Sequence, residues 1–157
     1  MSYPEDVPFE IVREQWNSYD LGKDVVLKTK LVLMKISKPV DLPIEDAKQM
    51  GFQAHPHFVV YTPVELKGTP ETRQITPELM TESIIEDVDP VPIGAETVNE
   101  YSVGEGFIRL RLLMVRVSRT SLYGADGTPV YTIQHNVVPQ IHMPRRRRTS
   151  RRSKSVV

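Results

Sequence analysis

Two long apolar segments of this chain are near copies of each other, and that likeness restricts the folds open to it. Residues 27–38 (LKTKLVLMKISK) lie over 108–119 (IRLRLLMVRVSR) with two of twelve pairs identical and nine conservative; only Thr29 over Leu110 changes type. All four basic positions coincide: Lys28/Arg109, Lys30/Arg111, Lys35/Arg116 and Lys38/Arg119. Upstream, across a gap of one residue, Asn17-Ser-Tyr-Asp-Leu-Gly22 matches Asn99-Glu-Tyr-Ser-Val-Gly104. Downstream, Val60-Tyr61-Thr62 matches Val130-Tyr131-Thr132. Three blocks in the same order point to an internal repeat, with copies at about 15–66 and 97–139.

Both segments lack Gly and Pro, and residue type alternates along Lys28-Thr29-Lys30 and Arg109-Leu110-Arg111-Leu112, which argues for strands. One face of each reads apolar, then basic: Leu27, Thr29, Leu31, Leu33, Lys35 and Ile108, Leu110, Leu112, Met114, Arg116. The other reads basic, then apolar: Lys28, Lys30, Val32, Met34, Ile36 and Arg109, Arg111, Leu113, Val115, Val117. The pattern predicts long, bent strands, half-solvated at their starts and buried on both faces in the middle. Asp126-Gly127 predicts a hairpin with arms at 107–122 and 129–138. Pro43 and Gly51 suit the start and stop of one or two helical turns, and Thr76-Pro77 suits the start of a short helix. Residues 57–66 read as a strand that Pro63 confines to an edge or bends, and 83–93 as extended chain in which Pro90 and Pro92 limit pairing. Short strands at 9–13, 16–19 and 97–102 are expected to precede the two long ones. The expected fold is therefore mainly β: a small barrel or sandwich built from a duplicated unit that contains a β-hairpin, with one or two short helices. The residues carry no family motif.

The chain has 157 residues, with 20 basic and 20 acidic side chains and a formal net charge of zero. That zero divides unequally. Residues 1–143 carry a formal −7, and the next stretch restores it through Arg145, Arg146, Arg147, Arg148, Arg151, Arg152 and Lys154. Within the body, eight acids and no Lys or Arg lie between Gln74 and Ile108. The apolar pattern stops at Met143-Pro144, so 1–143 reads as a single β domain and 144–157 as a disordered Arg-rich basic tail, because like charges repel and bury nothing. The absence of Cys excludes disulfide scaffolds, Cys-ligated zinc fingers and thiol enzymes. No apolar run reaches the roughly 18 residues of a membrane helix, and Met1-Ser-Tyr-Pro-Glu-Asp lacks a signal-peptide pattern. A cytoplasmic protein is expected.

The tail is the leading candidate for chemistry. Arginine offers phosphate a planar, bidentate donor pair and stays charged. Seven such cations could give a log–log salt slope of up to roughly 6 on duplex phosphate, largely independent of sequence. RNA or DNA is thus the expected partner, with Lys28, Lys30, Arg109 and Arg111 extending the footprint as a basic patch on the domain. Plainer roles for the tail are a solubilising or targeting end, a binder of anionic lipid, or a strap on the acidic 74–108 region. Arg147-Arg148-Thr149-Ser150 also resembles a short basophilic kinase site.

His55-Pro56-His57 places two imidazoles on one face of a strand, but a third metal ligand, from His135, His142 or an acid, is not fixed by spacing. Asp87-x-Asp89 could hold a cation or serve acid–base chemistry, though a solvated loop is the plainer reading. Trp16, Tyr19, Tyr61, Tyr101 and Tyr131 are expected to pack in the core or across strands, with an aromatic platform for bases as the alternative. No nucleophile motif is visible, and Gly104-Glu-Gly106 is a turn rather than a phosphate loop. The expected function is a non-enzymatic binding module, without metal or cofactor, that engages nucleic acid through its Arg-rich tail. The alternative is a structural or assembly protein whose acidic body and basic tail drive homo-oligomerisation or particle formation.

Overall fold

A computed structural model describes residues 3–40 and 50–144. In chain order the elements are β1 (Glu5–Val7), β2 (Glu10–Arg13), β3 (Asn17–Asp20), β4 (Val26–Lys38), β5 (Gly51–Tyr61), a 3-10 turn (Val64–Leu66), α1 (Pro77–Glu82), β6 (Ile84–Val88), β7 (Val91–Pro92), β8 (Asn99–Val103), β9 (Gly106–Tyr123) and β10 (Pro129–His142). The fold is mainly β, as expected. The helical turns expected from Pro43 and the Arg-rich tail lie outside the described residues; Gly51 opens β5.

Local chemistry explains the punctuation. The Thr76 hydroxyl accepts a hydrogen bond from the Leu79 amide at 3.1 Å, capping α1, and Pro77 needs no donor in the first turn. Gly104, at φ 55°, starts the tight β8–β9 turn closed by the pair Val103/Gly106. In the β9–β10 turn the Asp126 carboxylate accepts from the Thr128 amide at 3.0 Å, and Gly127 adopts φ 84°.

The strands form two antiparallel five-stranded sheets. In the first, β4 carries β5 along one edge and both β1 and β3 along the other, with β7 outside β3. In the second, β9 carries β10 along one edge and both β6 and β8 along the other, with β2 outside β8. The ladders coincide at a spacing of 81 residues along the long strands. Ile36, Ser37 and Lys38 pair with Val7, Asp6 and Glu5; Val117, Ser118 and Arg119 pair with Val88, Asp87 and Glu86. Leu27 pairs with Tyr19 and Val60, and Ile108 pairs with Tyr101 and Ile141. The outer strands are exchanged: β2 joins the second sheet and β7 joins the first. The third block matched in sequence does not occupy matching ladder positions. Val60 lies opposite Leu27, at the start of β4, whereas Tyr131 lies opposite Arg119, towards the end of β9. By ladder position the counterpart of Val60 is Ile141.

The long strands are not buried on both faces in the middle, because each sheet packs on the shared core with one face only; each strand also carries a β-bulge at the same place. Leu27, Thr29, Leu31 and Leu33 face inward; Met34 and Lys35 are then both exposed, and Ile36 is buried again. The ladder with β5 skips between Leu33 and Lys35. In β9 the skip falls between Met114 and Arg116, leaving Val115 and Arg116 exposed and Val117 buried. A bulge advances the side-chain period by one and swaps the inward set. This is why Lys35 and Arg116, which alternation would turn inward, sit in solvent while Ile36 and Val117 are buried; Met34 (56% exposed) and Val115 (58%) read as core but lie on the outward face by alternation itself.

Two clusters of buried side chains hold the sheets together, and each draws on both. Val7, Leu31, Leu33 and Ile36 meet Tyr101, Val103, Ile108 and Leu110. Tyr19, Leu21, Val25 and Leu27 meet Val117, with Val88, Met114 and Ile133 packed around them. The start of each long strand therefore faces the end of the other. Each full burial of a Leu, Ile or Val side chain contributes about 1.5–3 kcal/mol.

Candidate nucleic-acid interface

Arg145, Arg146, Arg147, Arg148, Arg151, Arg152 and Lys154 lie outside the described residues. The describable site is built from strand cations. Lys28 and Lys30 alternate with buried Leu27, Thr29 and Leu31 and so point outward from the first sheet. Arg109 and Arg111 do the same around Leu110 on the second. The four hold equivalent ladder positions but form two faces rather than one patch.

On the second sheet, the Arg109 Nε donates to Glu100 Oε1 at 3.0 Å while its guanidinium lies 5.0 Å from the centre of the Phe107 ring. An Arg13 guanidinium nitrogen approaches the same carboxylate at 3.8 Å. Arg13, Arg109 and Arg111 line a groove of about 630 Å³ together with Glu96, Val98 and Gln140. The Arg13 Nε is buried and has no hydrogen-bond partner among the described residues. Three guanidinium groups outweigh two carboxylates, so the groove is positive within an acidic body. Arg13 arrives on the exchanged strand β2, through the pair Arg13/Glu100. Sequence reasoning missed it because nothing local to residue 13 announces a partner 87 residues away; only pairing of 9–13 with 97–102 would have found it. Gln140 pairs with Arg109 near the end of β10, so the chain leaves this same end towards the Arg-rich run.

On the first sheet, Lys28 Nζ sits 5.1 Å from the centre of the Tyr61 ring and Lys30 Nζ 5.9 Å from that of Trp16. Among the described residues neither lysine has a carboxylate within ion-pair distance. Trp16 (47% exposed) and Tyr61 (53%) lie outside the core, each set across from a lysine of β4.

Tyr19 and Tyr101 are core residues with a polar end. Each belongs to a Glu-x-x-Asn-x-Tyr run, Glu14 to Tyr19 and Glu96 to Tyr101, and each bonds the other run's carboxylate. The Tyr19 hydroxyl donates to Glu96 Oε2 at 2.7 Å, and the Tyr101 hydroxyl to Glu14 Oε2 at 2.6 Å. Burial first, then the bonded carboxylate, pushes both phenols well above the ordinary tyrosine value. Tyr131 packs against the second core cluster.

The remaining candidates are dispersed. His55 and His57 are exposed on the outer face of β5. His135 packs against Phe58 on the opposite side of that strand, with ring centres 5.4 Å apart, and His142 stacks on Phe107 at 4.5 Å. Among the described residues no three His, Asp or Glu side chains group as metal ligands would. Asp87 accepts from Ser118 Oγ at 2.7 Å and Arg116 Nε at 2.9 Å, which holds its carboxyl below the ordinary range. Its role is to tie β6 to β9.

The two faces offer guanidinium donors suited to phosphate and exposed rings suited to planar ligands. Among the described residues no helix is long and apolar enough to cross a membrane. Comparison with family models, curated proteins and solved structures gives no match.

Proposed function

We propose that this chain is a non-enzymatic nucleic-acid-binding module. The Arg-rich run at 145–154 supplies phosphate attraction without base specificity, and the Arg13–Arg109–Arg111 groove orients the polyanion on the domain. One observation carries the reading: the groove lies at the end of β10 from which the chain continues into that run. An acidic body repels phosphate at long range, so a local cluster of guanidinium groups at the strand end that precedes the basic run gives the polyanion a place to settle. Fluorescence anisotropy with RNA and DNA at two salt concentrations tests it. The full chain is expected to bind at least about tenfold more tightly than residues 1–143, with a salt slope steeper by up to roughly 6. Equal binding by the truncated form removes the proposal.

Self-assembly is a second reading with one observation in its favour. Among the described residues the outer edges of β5 and β10 have no ladder partner, and open edges template pairing between chains. It expects large particles in light scattering at low salt; a monomer there counts against it.

A further inference from the structure

We propose that the outer face of the first sheet, formed by Trp16, Lys30, Lys28 and Tyr61, is a stacking platform for single-stranded nucleic acid. This deepens the reading of the chain as a nucleic-acid binder and rests on it. Trp and Tyr carry large apolar rings that folding ordinarily covers, yet here both stand about half exposed on either side of β4, Trp16 just before β3 and Tyr61 at the end of β5. Each ring is accompanied by a lysine ammonium. That combination, exposed rings with cations that have no carboxylate partner among the described residues, is what sequence-tolerant binding of single strands requires: bases stack on the rings while the cations take the phosphates.

The ladder fixes the spacing. Asn17 pairs with Thr29, which puts Trp16 beside Lys30, and Tyr61 pairs with Val26. The rings thus lie on opposite sides of β4 and four residues apart along it, roughly 13 Å in the strand direction and about 10 Å across it. They are too far apart to sandwich one base, so each takes its own, with Lys28 and Lys30 between them for the intervening phosphates. A duplex keeps its bases in its own stack and presents no free ring to either side chain. At the equivalent positions of the second sheet stand Val98 and His142, the latter stacked on Phe107, whose ring Arg109 also approaches, so the exposed Trp–Tyr pair is particular to the first sheet.

Trp16 is the single tryptophan of the chain and reports on the platform directly. The full chain is titrated with single-stranded oligo(dT) and oligo(U), and with a hairpin duplex of equal phosphate count, reading anisotropy and tryptophan emission on the same samples. Single strands are expected to quench Trp16 with the midpoint seen in anisotropy, while the duplex binds without quenching. Trp16→Ala and Tyr61→Ala, both at half-exposed sites and checked for fold by circular dichroism, are each expected to weaken single-strand binding by about fivefold or more and to leave duplex binding unchanged. Single-strand binding with unaltered emission and undiminished by either substitution overturns the platform but leaves the binding module standing. Binding of neither probe overturns both.

Discussion

The two sheets share one ladder and carry different chemistry. Inward, they agree: Leu27 and Ile108 are both fully buried, Tyr19 and Tyr101 each reach a carboxylate of the other half, and both long strands bulge after the same step. Outward, they part. Lys28 and Lys30 lie over the exposed Tyr61 and Trp16 rings, whereas Arg109, itself over Phe107, also shares the Glu100 carboxylate with Arg13. The lesson is that packing constrains the inner side chains of a strand, because a changed volume there leaves a cavity or a clash. Solvent imposes no such requirement on the outer ones, and the cations there differ in kind. Arginine presents a planar fork that suits carboxylate or phosphate and also stacks on rings, as Arg109 does on Phe107, while lysine is a mobile point charge.

The largest expected effect tests the inward agreement. Leu27→Ala and Ile108→Ala should each destabilise the domain by about 2–5 kcal/mol, read by urea unfolding. A much smaller cost at one site would break the equivalence of the two core clusters.

A finer test uses the paired tyrosines. Tyr101→Phe should cost about 1–3 kcal/mol, because the hydroxyl it loses serves both Glu14 and the buried Asn99 amide. Tyr19→Phe should cost less, because Glu96 is exposed and regains water. Equal costs would show that burial of the carboxylate does not matter.

The same residues set an alkaline limit. Both phenols titrate above their ordinary value of 10.0 in the folded chain, so their contribution is complete below that pH. Above it the unfolded chain ionises first and stability falls with rising pH. Thermal melts from pH 8 to 11 should show this decline, and the Tyr19→Phe, Tyr101→Phe double variant should flatten it.

The smallest expected effects are at the matched surface ion pairs. Lys35 meets Asp6 at 3.2 Å and Arg116 meets Asp87 at 2.9 Å, at corresponding ladder positions. Each exposed pair should contribute under about 1 kcal/mol by double-mutant cycle. The arginine pair should lead, because Ser118 also holds Asp87 in place.

The sequence by itself determined what neighbouring residues decide. Alternation marked β4 and β9, Asp126-Gly127 marked the hairpin, Thr76-Pro77 marked the start of α1, and the matched runs placed Asn17, Tyr19 and Leu27 over Asn99, Tyr101 and Ile108. It could not locate the bulges, since only the skipped ladder step shows the inward set passing from Leu33 to Ile36 and from Met114 to Val117, and the apolar Met34 and Val115 do not reveal that their face meets water. It also missed β1, although Glu5-Asp6-Val7 and Glu86-Asp87-Val88 are the same triplet. Only the tertiary structure decided that β2 and β7 change sheets, that Arg13 joins Arg109 and Arg111, and that Trp16 and Tyr61 stay uncovered. Strand exchange is settled by partners some 70–90 residues apart in sequence. Such pairing depends on which hydrogen bonds and packed surfaces close together around a shared interior, and no short window of residues records it.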